Sequence, residues 1–198
     1  HVGFVVIGLA ALNIQGMQGA LFQLLNFGIV SAGLFFLAGF LQHRLGSTDL
    51  SHLGGGARPM PLLASFLFLL GLAAIGVPGT SGFAAEHLIL IGAFRSNPGT
   101  GFAALFGVIL SAAYFLGFYR RAFLGPVRLE GVRQAQDLRP RELALAALLV
   151  AIAILGGIVP GPLLEASRPA AEAWVARVTA FEGSPERNFA GLAPRPDR

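Results

Sequence analysis

Residues 60–94 form a run of 35 residues with a single charged side chain, Glu86. As one straight helix this run would be roughly 52 Å long at about 1.5 Å per residue. The hydrocarbon core of a bilayer is only about 30 Å thick. Extreme tilt could absorb the excess. A break absorbs it better, because Gly76-Val77-Pro78-Gly79-Thr80-Ser81-Gly82 lies in the middle of the run. Pro78 removes a donor and its ring clashes with the preceding turn. Thr80 and Ser81 can cap the freed groups, and helix can resume near Phe83. Irregular backbone at membrane depth is tolerated only inside protein or beside a water-filled cavity. Discontinuous helices therefore mark ion and substrate pathways. The plainer reading is a proline kink with no function.

The rest of the chain repeats the pattern. Only 12% of the 198 residues are charged and 55% are hydrophobic, against roughly 25% charged in soluble domains. Charge-free runs place helices at about 1–12, 19–42, 100–122 and 142–159, besides 60–94 interrupted at 76–82. Residues 13–18 read as a short polar link. The expected fold is an all-α polytopic transmembrane bundle with one discontinuous helix and about four to five spans, the membrane region being 1–160. Residues 161–182 read as a surface helix, and 183–198, rich in Pro, Gly and Arg, as disordered. The first apolar run is too short to span and lacks the charged flank of a signal peptide. It reads as a helix whose beginning lies upstream, in a longer chain.

Composition excludes several chemistries. There is no Cys, hence no disulfide, thiolate metal site, Cys-ligated iron–sulfur cluster or cysteine nucleophile. Every basic residue is Arg, so Schiff-base chemistry and lysine proton carriers are absent from this chain. No cofactor or metal is expected in it. No basic patch with interleaved aromatics suggests nucleic acid; the expected surroundings are a lipid bilayer. With one crossing per full span, Arg44, Arg58, Arg120, Arg121, Arg128, Arg133, Arg139 and Arg141 fall on one side. The positive-inside rule makes that side cytoplasmic. The carboxy terminus is then outside, periplasmic if the bilayer is the inner (plasma) membrane of a Gram-negative cell.

Polar residues inside the apolar runs are the site candidates. Glu86 follows the break by about one turn. A carboxylate at membrane depth costs several kcal/mol unless protonated, paired or hydrated, so Glu86 is read as a proton carrier, or else as a buried protonated acid bonded to a neighbouring helix. His87 projects about 100° away and reads as a packing or interfacial residue. Gln23 and Asn26 are three apart and share a helix face. Interhelical hydrogen bonding is their default role, and a proton wire the sharper one. Gly28, Ala32 and Gly39 are expected to allow close helix contact. Pro78, Thr80 and Ser81 complete the expected channel lining.

His1-Val2-Gly3-Phe4, Phe35-Phe36-Leu37-Ala38-Gly39 and Pro78-Gly79-Thr80-Ser81-Gly82-Phe83-x-x-Glu86 together resemble the carboxy-terminal part of the antiporter-like subunits of respiratory complex I, most closely the M type. Ile109-Leu110-Ser111-Ala112-Ala113-Tyr114, Tyr119-Arg120-Arg121-x-Phe123-x-Gly125-Pro126 and Asp137-Leu138-x-x-Arg141-Glu142 extend the resemblance to residue 160. It implies a proton-translocating membrane subunit of NADH:quinone oxidoreductase, without a redox centre of its own. Glu86 would be the protonatable residue near the exit, and His1 a relay on the hydrated axis. Phe27 stands where the family often has His, Ala85 where it has Gly, and His87 where it has an aromatic. Cation/proton antiporters and membrane-bound hydrogenases use related subunits, and a non-conducting structural paralogue is the remaining alternative.

Overall fold

The computed structural model describes residues 1–47, 49–50, 53–127 and 129–182. The expected disordered tail and Arg128 lie outside the described residues. Among the described residues there are eight α-helices and no strand: α1 (Val2–Ala10), α2 (Ile14–Leu45), α3 (Pro61–Ala74), α4 (Ser81–Ser96), α5 (Pro98–Phe123), α6 (Glu130–Arg133), α7 (Pro140–Ile158) and α8 (Gly161–Glu182).

Local chemistry sets these limits. Asn13 has extended backbone and its side chain accepts the Gly16 N–H at 2.8 Å, which satisfies one orphan donor of the first turn. α2 therefore starts at Ile14, and the polar link expected over 13–18 is one capping residue followed by helix. Gly46, with φ 69°, closes the far end by donating to the Gln42 carbonyl at 2.8 Å. His43 and Arg44 occupy that last turn, where the helix dipole favours positive charge. Pro61, Pro98 and Pro140 each open a helix, a position at which their missing N–H costs nothing. Charge runs gave no hint of the four-residue α6.

α2 is the central helix and touches α1, α3, α4, α7 and α8. Gly16, Gly19, Ala20, Gln23, Asn26, Val30, Gly33, Leu37 and Leu41 are its buried face, at the three-and-four spacing of one helical stripe. The approach to α4 is close. A Cβ at Gly19 would lie 2.7 Å from the Ile89 nitrogen, and one at Gly92 would lie 2.6 Å from the Gly16 nitrogen. The glycines expected to do this do not: a Cβ at Gly28 or Gly39 would meet nothing within 4 Å. Because α2 is apolar all round, its sequence does not say which small residues face a neighbour.

Arg44 ties one end of the bundle together. It donates to the carbonyls of Gln136 at 2.7 Å, Phe40 at 2.9 Å and Asp137 at 3.0 Å, and pairs with Glu142 in the first turn of α7. The Asp137 carboxylate accepts from the Leu62 and Leu63 N–H groups at 2.7 and 3.0 Å and so caps α3. Leu37, Leu41, Met60, Leu63, Leu67, Leu70 and Phe123 form the main buried cluster near this end. At the opposite end Asn13 donates to the Gly92 carbonyl at 2.8 Å, and Gln18 to the Leu164 carbonyl at 2.9 Å. Outward-facing side chains are large and apolar, Phe35, Phe102, Phe106, Ile109 and Leu155 among them. α2, α5 and α7 are long and apolar enough to cross a membrane, and α3 is a shorter apolar helix.

Candidate functional site

The chain between α3 and α4 is built from three local devices. Gly76 adopts φ +65°, and Val77 N–H bonds back to the Leu72 carbonyl at 3.0 Å. That is the six-to-one bond of a Schellman ending, with glycine at its left-handed position. Val77-Pro78-Gly79-Thr80 then makes a turn closed by Thr80 N–H on the Val77 carbonyl at 3.1 Å, with Gly79 at φ +92°. Proline followed by a positive-φ glycine is the type II arrangement. α4 begins at Ser81 without a side-chain cap.

The capping expected of Thr80 and Ser81 is therefore not made. Thr80 Oγ1 donates to the Val77 carbonyl at 2.7 Å, within the turn. Ser81 Oγ donates across the bundle to Asn26 Oδ1, also at 2.7 Å. Pro78 lies exposed. Neighbouring helices close over the rest. Gly82 has its Cα hydrogen against the Ala73 carbonyl, and Gly157 of α7 lies directly on the Thr80 backbone.

Among the described residues the buried polar or charged side chains are Gln23, Asn26, Thr80, Ser81 and Glu86, all at most 9% exposed. All five belong to the middle of α2, the turn, or the first half of α4. Gln23 Nε2 donates to His1 Nδ1 at 2.9 Å, so His1 and Gln23 form one bonded pair and Asn26 and Ser81 another. Two atoms are left over. Gln23 Oε1 and Asn26 Nδ2 are buried with no hydrogen-bond partner. One is an acceptor and the other a donor, three residues apart on the same helix face. The His1 ring also lies 5.5 Å from the Phe27 ring. The Glu86 carboxyl rests against Gly76. His87 is exposed and stacks on Phe83 at 5.4 Å, whereas Glu86 is buried.

Three features of the site carry no local sequence signal, although Ser81 itself is an expected channel-lining residue. The Ser81 partner of Asn26 is 55 positions away, Gly157 reaches the turn from another helix, and only its neighbourhood to the Pro-Gly turn hints at the role of Gly76. Among the described residues no group of three or more His, Cys, Asp or Glu side chains could hold a metal ion.

Residues 1–111 match the transmembrane family model described as NADH:quinone oxidoreductase/Mrp antiporter. The NADH-quinone oxidoreductase subunit M of Rickettsia prowazekii is 38% identical over 165 residues, covering 83% of this chain and 34% of that protein. This chain thus spans about a third of the length of such a relative. Among solved structures, a chain of respiratory complex I from Thermus thermophilus with bound NADH superposes with a TM-score of 0.84 at 34% identity, over 89% of this chain and 37% of that one. A chain of the Mrp complex from Dietzia sp. shares the fold, with a TM-score of 0.78 at 23% identity over 91% of this chain and 42% of its own.

Proposed function

Because the chain belongs to the NADH:quinone oxidoreductase/Mrp antiporter transmembrane family, we propose that it is part of a proton-translocating membrane subunit of NADH:quinone oxidoreductase, with Glu86 as a proton carrier. The supporting observation is the pair of orphaned atoms, Gln23 Oε1 and Asn26 Nδ2. A buried polar atom without a partner costs about 1–3 kcal/mol. One water can accept from Asn26 and donate to Gln23, and a polar site with two to four partners is where internal water resides. With that water in place, a hydrogen-bonded line runs from His1 through Gln23, water and Asn26 to Ser81.

Each member has a role that its chemistry permits. His1 can take a proton on one ring nitrogen and release it from the other. Gln23 and Asn26 do not titrate here; they hold and orient water. Ser81 can accept and donate through one hydroxyl. Among the described residues Glu86 is the only buried side chain that can carry a net proton as a carboxylic acid, and burial makes the unpaired carboxylate costly. The Arg-bearing loops gathered by Arg44 and Asp137 support a cytoplasmic assignment for that end. The carboxy-terminal helix is then outside, and the bilayer is the inner (plasma) membrane. Other membrane subunits of the complex are the proposed partners, and this chain contributes no redox centre.

The Phe27 ring against His1 favours a second reading, a paralogue that fills the position without conducting. One substitution separates the two. In the full-length chain, Glu86→Gln should leave assembly of the complex intact and lower NADH-driven proton uptake into proteoliposomes by about tenfold or more. Normal assembly with unchanged uptake would remove Glu86 from the path and favour the structural paralogue.

A further inference from the structure

Glycine at position 76 does two separate things. Its left-handed backbone ends α3, and its missing side chain leaves the space in which the Glu86 carboxyl sits. A Cβ there would overlap Glu86 Oε2, and would lie 3.0 Å from the carboxyl carbon and 3.6 Å from Oε1. The approach follows from helix geometry. Gly82 and Glu86 are four apart on α4 and share a face. Gly82 packs that face against the Ala73 carbonyl, and a Cβ on it would also lie 3.3 Å from the Gly76 Cα. One turn further along, the same face carries the Glu86 carboxyl onto the left-handed residue.

We propose that Gly76 is a positioning residue: it seats the Glu86 carboxyl against the end of α3 and so fixes the distance from that carboxyl to the rest of the polar line. Its effect on transport rests on the proton-carrier reading of Glu86; the seat itself does not.

Gly76→Ala introduces both backbone strain and the overlap, so a second variant separates them. Glu86→Asp withdraws the carboxyl by one methylene, which relieves the overlap and leaves the strain. The full-length chain in its purified complex is the material. In Gly76→Ala the displaced carboxyl should react about fivefold faster with dicyclohexylcarbodiimide, read by mass spectrometry of the peptide carrying Glu86. An unchanged labelling rate overturns the seat whatever transport does. Proton uptake in Gly76→Ala should fall about tenfold, and in Gly76→Ala/Glu86→Asp it should return to the value of Glu86→Asp alone. A double variant at the product of the two single losses also overturns the seat, because strain alone is not rescued at position 86. If Gly76→Ala does not assemble, recovery of assembly in the double variant reports the overlap, and its failure to recover overturns the proposal. If Glu86→Gln pumps normally, the proton-carrier reading fails and labelling alone decides on the seat.

Discussion

At the scale of single residues, the proposed polar line would join two bonded pairs that are each satisfied on one side only. Asn26 accepts from Ser81 and has a spare donor; Gln23 donates to His1 and has a spare acceptor. Such half-filled amides are costly in a dry interior and inexpensive beside ordered water. A paired substitution distinguishes the two cases. Asn26→Leu/Ser81→Ala removes the Ser81 donor, the Asn26 acceptor and the Asn26 orphan together, leaving Gln23 Oε1 as it was, and replacing both partners of a buried bond by apolar groups is close to neutral for stability. The double variant should assemble at a level near that of the parent chain while proton uptake falls about tenfold or more, as expected if a water position has been lost. Uptake at the parent level would show that protons do not pass this pair. The sequence made Gln23 and Asn26 legible as one face, since a spacing of three suffices for that. The bond from Ser81 to Asn26 was not legible, because local rules offered Ser81 a nearer task at the start of α4, which the fold leaves undone.

Elements meet through glycines, and the placement of those glycines separates what periodicity can show from what it cannot. The apolar runs located the helices because charge is excluded from a bilayer wherever the chain crosses it. They did not orient α2, whose outward face is as apolar as its inward one. Gly28 and Gly39 looked equivalent to Gly19 in the sequence, yet only Gly19 lies against another backbone, at Ile89. Without a hydrophobic force between helices in lipid, close backbone approach is much of what holds such a pair together. Gly19→Leu should therefore push α4 away from α2 and cost about 1–3 kcal/mol or more in overpacking. The expected outcome is lost assembly of the full-length chain or a thermal midpoint several degrees lower. Gly28→Leu, with nothing within 4 Å of its Cβ in this chain, should be milder by the same assay. Equal losses for the two would mean that the α2–α4 contact does not set stability. The break obeys the same division. Its position was legible from Pro78-Gly79, but α3 ends earlier, at Ala74, because Gly76 supplies the left-handed residue that terminates a helix before proline is reached.

For the whole molecule, the length of α2 decides how the ends are distributed. Gln18 reaches α8 through the Leu164 carbonyl, and Arg44 reaches the 136–142 segment. These two side chains are 26 positions apart on one unbroken helix, roughly 39 Å at 1.5 Å per residue. A hydrocarbon core is about 30 Å thick, so a membrane that contains α2 leaves the two ends in different aqueous compartments. Counting Arg in the sequence leads to the same division by a different route, from charge rather than length, and that count requires α3 and α4 together to make a single crossing. The absence of cysteine in this region makes the division simple to test. Gly131→Cys stands in α6 at the Arg-bearing end, where a side chain would meet nothing within 4 Å. Ala176→Cys stands on the exposed side of α8. In a full-length chain otherwise free of cysteine, a membrane-impermeant maleimide should label Gly131→Cys in inside-out vesicles and Ala176→Cys in right-side-out ones. Labelling of both from the same side would be incompatible with a spanning α2, and would overturn both the orientation and the proton path drawn along it.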